Sequence, residues 1–256
     1  MRVTVGMIAY NASPVIGAAI RSTYPYVDDI IVVDGSAHGP STDDTVTMAK
    51  SIGSRVSVVS GVFAKPDGSW DERRQRQTYL DLMGRSEERW GLSQDADEVY
   101  DKENILKLIE SMDNAKSDID IISHRFIHFW RNLNQIVTGS QWSMARMESC
   151  AFRLTEGIKI VNNNTMAGFR HGWPGCWSHR DDIFVYHYGH ALSYERCLFR
   201  VREYFLAGYV GDQSRYSLEE HLKEWNRIYN LKLPGVVPYI GRQPETILPL
   251  IGSYFK

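Results

Sequence analysis

Trp90-Gly91-Leu92-Ser93-Gln94-Asp95-Ala96-Asp97-Glu98-Val99 reads as a short strand that runs straight into three acids. Trp90 and Leu92 are the apolar residues of the strand, and Asp95, Asp97 and Glu98 crowd its far end. Carboxylates this close repel one another. A hard divalent cation such as Mg2+ or Mn2+ relieves that repulsion, because it prefers carboxylate oxygen and keeps positions open for phosphate oxygens. At the C-terminal end of a sheet strand, such acids face the crevice where α/β proteins bind ligands. The competing reading is a solvated turn in which Asp95 or Asp97 caps a helix that begins near Lys102.

Upstream, residues 2–9 are rich in Val and Ile without clean alternation, as expected of a strand buried on both faces. Ser13 and Pro14 stand as N-cap and first residue of a helix that runs to about Tyr24, ahead of Pro25. Asp29-Ile-Ile-Val-Val-Asp34 is a second buried strand ending in an acid and Gly35. Strand, helix and strand within so short a stretch form a βαβ unit, which crosses over right-handed. Ser41 or Thr42 is the expected cap of a helix over 43–52, Arg55–Ser60 a third strand, and 70–83 a helix with Tyr79, Leu80, Leu82 and Met83 on its apolar face. The pattern βαβαβαβ implies a doubly wound sheet.

Downstream the periodicity changes. A helix over 105–112 precedes strand-like runs at 119–130, 149–154, 157–161 and 183–188. Residues 162–180 read as a loop dense in Asn, Gly, Trp and His, including Trp173, Trp177, His171 and His179. Helices over 193–208 and 217–229 lead to a tail holding Pro234, Pro238, Pro244 and Pro249. The expected division is an α/β domain over 1–192, in halves 1–100 and 101–192, with a C-terminal helical extension and tail over 193–256.

Composition narrows the class. A net charge of −2 gives no basic field for nucleic acid or anionic membrane. Three widely spaced cysteines form neither a zinc motif nor a disulfide framework, which suits a reducing cytoplasm. The apolar N-terminus is too short for a signal segment, and no run is long enough to span a membrane, which leaves peripheral membrane contact open. His124 and His128 have zinc-like spacing, but they fall in a strand with no third ligand nearby and read as core or surface histidines. Asn163-Asn-Thr165 is a glycosylation sequon by letter alone.

With these elements placed, the chain resembles the family 2 glycosyltransferases of the nucleotide-diphospho-sugar transferase fold. Val5-Gly-Met-Ile-Ala-Tyr-Asn11 is similar to the family's first strand and its Tyr-Asn turn, and Ile30–Ser36 to its second strand. Ser41-Thr-Asp-Asp-Thr45 resembles the Ser-Thr-Asp-Gly-Thr turn, displaced by Ala37 to Pro40. Arg76-Gln77 stands where the family has Arg-Asn, Asp95-Ala-Asp-Glu98 resembles its Asp-x-Asp motif, and His187-Tyr-Gly189 resembles a His-Tyr-Gly of one branch.

The resemblance implies a Rossmann-like mixed sheet with helices on both faces plus C-terminal helices, in which 1–100 is the nucleotide-binding half and 101–192 the acceptor half, with the aromatic side chains of 162–180 as faces for sugar rings. It implies an inverting, metal-dependent transfer of a sugar from a nucleotide-diphosphate donor, UDP or another, to a glycan or other hydroxyl acceptor. Mn2+ or Mg2+ neutralises the leaving diphosphate as a Lewis acid. Asp97 and His187 are the implied metal ligands, with His190 as runner-up to His187. Tyr10 is the implied stacking face for the base, Asp34 the acceptor of its ring N–H, Arg76 the partner of pyrophosphate or base, and Asp95 a contact to ribose hydroxyls or metal-bound water. Structural readings stand beside these: packing for Tyr10, a turn cap for Asp34, and a solvated helix face for Arg73, Arg74 and Arg76.

Inversion also needs a base for the acceptor hydroxyl. Related enzymes carry an acid after the strand corresponding to 157–161, where this chain has Asn162–Arg170 without a carboxylate. Asp181, Asp182 and Glu156 are the nearest acids, and Asp181 and Asp182 are the named candidates, with an ordinary turn as the alternative for at least one. Two other functions compete. A nucleotidyltransferase lacks support, because Tyr10–Pro14 is not a Gly-rich basic loop. A nucleotide-sugar- or glycan-binding protein of the same fold without efficient transfer is favoured by the missing acid. Donor sugar, acceptor and oligomeric state are left open by the sequence.

Overall fold

The structure, a computed structural model, describes residues 1–13, 15–138, 151–162, 165–167, 177–206, 217–230 and 235–255. In chain order the elements are β1 (Arg2–Ala9), α1 (Ile16–Thr23), β2 (Asp29–Ser36), α2 (Thr45–Lys50), β3 (Val56–Val62), α3 (Glu72–Leu82), β4 (Ser86–Asp95) and β5 (Glu98–Val99). There follow α4 (Lys102–Asp113), β6 (Ile121–Trp130), β7 (Asn132–Val137), β8 (Ala151–Leu154), β9 (Lys159–Asn162), β10 (Thr165–Ala167) and β11 (Trp177–His190). Helices α5 (Tyr194–Leu206) and α6 (Leu218–Asn230), strand β12 (Val236–Pro238) and a 3-10 turn at Leu248–Leu250 complete the described chain.

The N-terminal half pairs in parallel in the order β4-β1-β2-β3. On the far side of β4 the sheet turns antiparallel through β8, β6, β7 and β12, while β11 runs parallel to β6 and antiparallel to β5. The expected Rossmann-like, mixed α/β sheet is therefore present. Alternation along β1 and β2 sorts the two faces. Val3, Val5, Met7, Ile30 and Val32 join a core with Ile16 and Ile20 of α1 and Ile105 and Leu108 of α4. Ile31 and Val33 face the other way, onto Tyr79 and Leu80 of α3. Helices thus cover both faces.

Local chemistry accounts for where the helices begin. Asp71 caps α3 by accepting the Arg74 amide at 2.9 Å. Asp101 caps α4 through the Asn104 amide at 2.8 Å. Neither Asp95 nor Asp97 caps α4, so the turn reading of those two acids does not hold. The expected Ser13 cap of α1 is absent: the helix starts at Ile16 without a side-chain cap, the Ser13 amide donates to Asp43, and Pro14 lies outside the described residues. Ser41 and Thr42 do not cap α2 either, because both are bonded to Asn11 in the loop beyond β1, and Ser41 also to Asp34.

Strand β10 and the start of β11 at Trp177 lie inside the stretch expected as loop, and β5, β7 and β12 were not anticipated. β5 and β12 have two and three residues, too few to show a period. The segment expected as an extension is integral to the body. β12 pairs with β7, Ile247 and Phe255 are buried in the larger core, and Gln243 accepts from the Tyr188 hydroxyl while donating to the Leu133 carbonyl.

Gln75, buried on α3, ties the helix to the ends of β1 and β2. Its Nε2 lies 3.3, 2.8 and 3.2 Å from the carbonyls of Ala9, Val33 and Gly35, and its Oε1 accepts the Trp70 indole N–H at 2.9 Å. Gln75→Leu strips several buried groups of a partner, which is expected to cost about 2–4 kcal/mol in urea unfolding. Arg73→Ala on the exposed side of the same helix changes stability by less than about 0.5 kcal/mol.

Candidate active-site crevice

Parallel pairing brings the C-terminal ends of three strands level. Ile8 of β1 is in register with Asp95 of β4, and Ala9 with Asp34 of β2. The strand order reverses between β1 and β4, the place where such sheets open a crevice. Its rim is cross-tied. Asn11 takes a left-handed conformation (φ 46°), which asparagine tolerates better than most residues. Its amide donates to Ser41 Oγ at 2.8 Å and its Oδ1 accepts the Thr42 amide at 2.9 Å, while the Ala12 amide donates to Thr45 Oγ1 at 2.7 Å.

Asp34 belongs to this scaffold. It is fully buried, and its carboxylate accepts both the amide and the hydroxyl of Ser41. An acceptor for a base N–H has to be reachable, so here Asp34 acts as the anchor of the loop after β2. Tyr10 is half-buried and stands edge-on to Trp70 with ring centroids 5.6 Å apart, and Trp70 in turn meets Tyr204 of α5 at 5.7 Å.

Arg76 is not a solvated side chain. Its guanidinium lies 2.8 Å from Glu72 and 2.8 Å from Asp95, with its side chain 5% exposed. Burial works against its charge, but Asp95 and then Glu72 outweigh burial and raise its pKa further. Arg76 therefore orients Asp95, whose side chain remains 31% exposed at the crevice. Glu98 turns back to accept the Asp95 amide at 3.0 Å, closing the acidic turn.

That turn delivers Asp97 to β11. β5 pairs antiparallel with β11, setting Glu98 opposite His187, and the Tyr188 amide donates to the Asp97 carbonyl at 2.9 Å. Asp97 Oδ1 lies 3.6 Å from His187 Nε2, and Asp97 Oδ2 lies 2.6 Å from Arg200 of α5. Burial alone raises a carboxyl pKa, but the Arg200 guanidinium, then His187 and His190, hold Asp97 well below the usual carboxylate range. Arg200 also donates to the Gly189 carbonyl at 3.0 Å. A side chain at Gly189 has no room: its Cβ would stand 2.8 Å from both Asp97 Oδ2 and His187 Cε1.

Two further histidines flank His187. His128 Nδ1 is 3.1 Å from His187 Nδ1, and the ring of His190 is 6.2 Å from that of His187. Burial, reinforced by the neighbouring His187, lowers the pKa of each of His128 and His190 to about 3, so both imidazoles are neutral. Among the described residues no three His, Cys, Asp or Glu side chains are gathered to hold an ion by themselves. Asp97 and His187 stand as a facing pair, 3.6 Å apart.

Asp181 and Asp182 are not brought to this place. A bulge in β11 between Arg180 and Phe184 turns both acids outward, with side chains 63% and 56% exposed. Asp181 pairs with Arg125 and His179, and Asp182 with Arg180. Arg125 shares its face of β6 with Phe129, which stacks on Tyr186 and Tyr188, whereas His128 and His187 meet on the opposite face. The acids named as the base therefore sit on the wrong side of the sheet. His171, Trp173 and residues 168–170 lie outside the described residues.

His124 is the core histidine expected, bonded to the Tyr100 hydroxyl at 2.7 Å. His128, read together with it, instead belongs to the crevice. Arg200 and Tyr204 were missed as well. Their one sequence signal is an arginine in the buried stripe of a helix that also carries Cys197 and Phe205.

Asp97 has its pKa lowered by folding, so its charge stabilises the fold above its unfolded pKa, and that stability is lost as the pH falls toward the folded value. Asp97→Asn leaves Arg200 uncompensated and is expected to cost about 2–3 kcal/mol at pH 7. The gap between the two proteins narrows as urea unfolding is repeated from about pH 5 to pH 3.

No protein-family model matches the chain, and no curated protein sequence matches it. Solved structures do. S. aureus TarS, residues 1–349, aligns with a TM-score of 0.47 and 14% identity over 88% of this chain and 78% of that one. The glucosyl-3-phosphoglycerate synthase of Mycobacterium tuberculosis, crystallised with Mn2+, UDP and glucosyl-3-phosphoglycerate, aligns with a TM-score of 0.37 and 20% identity. It covers 49% of this chain and 44% of its own. Likeness of this degree leaves the functional argument to the chain's own residues.

Proposed function

We propose that this chain is a glycosyltransferase that takes a sugar from a nucleotide-diphosphate donor with the help of Mn2+ or Mg2+. One observation carries the reading: a buried carboxylate on a β4–β5 turn and an imidazole on β11 converge to 3.6 Å at the carboxyl ends of β4 and β11. Two atoms bound to one such ion at ~2.1 Å lie no more than ~4.2 Å apart, so Asp97 Oδ1 and His187 Nε2 fit a shared ion. A bound ion there supplies Lewis-acid neutralisation of the departing diphosphate.

The residues around it divide the remaining work. Arg200 holds a second positive charge on the same side of the crevice, 2.6 Å from Asp97. Asp95, oriented by Arg76, offers its half-exposed carboxylate to hydroxyls of the donor's ribose. Tyr10 offers a ring face to the base, and Asp34 keeps the loop beside it in place through Ser41. The acceptor is a hydroxyl of a glycan or other saccharide.

A second reading, nucleotide-sugar binding without efficient transfer, is favoured by one observation: Asp181 and Asp182 are tied up in exposed ion pairs away from the crevice. Release of nucleotide from a donor panel separates the two, since a binding protein yields no turnover.

Thermal unfolding with a panel of nucleoside diphosphates, UDP first, tests the shared core of both readings. The expected result is a melting point raised by nucleotide with Mn2+ and little raised by either alone, because only the ternary complex binds the native state tightly. Asp97→Asn should abolish the Mn2+-dependent part. A shift that is the same with and without Mn2+, or that survives in Asp97→Asn, counts against the ion site.

A further inference from the structure

The contact between His128 and His187 is between like atoms, Nδ1 to Nδ1, at 3.1 Å. Two ring nitrogens at that distance share one proton. Two lone pairs face to face repel, and two N–H groups collide. His128 is fixed to play its part: it is half-buried on β6, its ring stacked on Phe126 with centroids 5.4 Å apart and planes 8° from parallel. The pairing of β6 with β11 sets His128 level with His187, so the contact is built into the sheet.

The other nitrogen of His187, Nε2, faces Asp97 Oδ1 at 3.6 Å, longer than an N–H···O hydrogen bond. Resting on the ion site proposed above, we propose that His128 is the positioning residue for His187. His128 Nδ1 accepts the Nδ1–H of His187, which leaves the Nε2 lone pair directed at the space beside Asp97. Ligating histidines are ordinarily oriented by a carbonyl or carboxylate on the far nitrogen. Here a second imidazole takes that place and adds no negative charge behind the ion.

The test is Mn2+ affinity of the full chain, read as free Mn2+ by electron paramagnetic resonance at fixed UDP and fixed pH. Wild type is compared with His187→Ala, His128→Phe and His128→Asn, and melting temperatures check that each variant folds. Phenylalanine keeps the stack on Phe126 and removes the nitrogen, whereas asparagine keeps an acceptor near the Nδ1 position and gives up the stack. Positioning predicts Mn2+ binding weakened about 10–100-fold in His128→Phe and restored to within a few-fold of wild type in His128→Asn. A packing role predicts the reverse order.

Should His128→Phe not fold, His128→Leu serves as the nitrogen-free variant. Loss in His187→Ala with wild-type affinity in His128→Phe, or with asparagine no better than phenylalanine, overturns the role of His128 and leaves the ion site standing. No Mn2+ binding by wild type, or undiminished binding by His187→Ala, overturns the ion site and this proposal with it.

Discussion

A buried carboxylate has to be compensated, and Asp97 is where this molecule meets that demand. Isolated burial of a charge costs several kcal/mol. Compensation comes from an element far along the chain: Arg200 on α5 meets the carboxylate and also donates to the Gly189 carbonyl at the end of β11. The acidic turn after β4, the end of β11 and the middle of α5 are thereby held to one another. Gly189 belongs to the same constraint, since any side chain there meets the Asp97 carboxylate.

The two halves of the crevice are built differently. On the parallel side, register does the positioning: Asp34, Asp95 and the Tyr10–Asn11 turn arrive level because β1 is paired on both edges. Hydrogen bonds between neighbouring loops then stiffen that rim, and Arg76 and Gln75 brace it from α3. On the other side, α5 crosses the mouth. Arg200 reaches Asp97, Tyr204 meets Trp70, and the Leu206 carbonyl lies 2.6 Å from His38 Nε2 in the loop after β2. The C-terminal segment thus completes the crevice that the N-terminal half begins.

Strand faces decide which polar groups take part. Along β6, Arg125 and His128 are close in sequence yet project to opposite faces, and β11 follows the same alternation past its bulge. Asp181 follows Arg125 and is spent in a surface ion pair, while His187 follows His128 into the crevice. Proximity along the chain to a site residue says little when the local period is two.

Val/Ile-rich runs at 2–9 and 29–34, apolar spacing in α1 and α3, and acids at a strand end were legible in the sequence because local backbone preference and burial leave periodic traces. They yielded the α/β class, the order of the first seven elements, and Asp95 and Asp97 at one strand end, whereas His187 entered only through the resemblance of His187-Tyr-Gly189 to a family motif. The tertiary structure alone decided that Arg76 is buried between two carboxylates, that Asp34 is sealed beneath Ser41, and that His128 and Arg200 join the site while Asp181 and Asp182 do not. Those outcomes depend on which strands pair, in what register and around which bulge. Such pairings are non-local, so no window of sequence carries them.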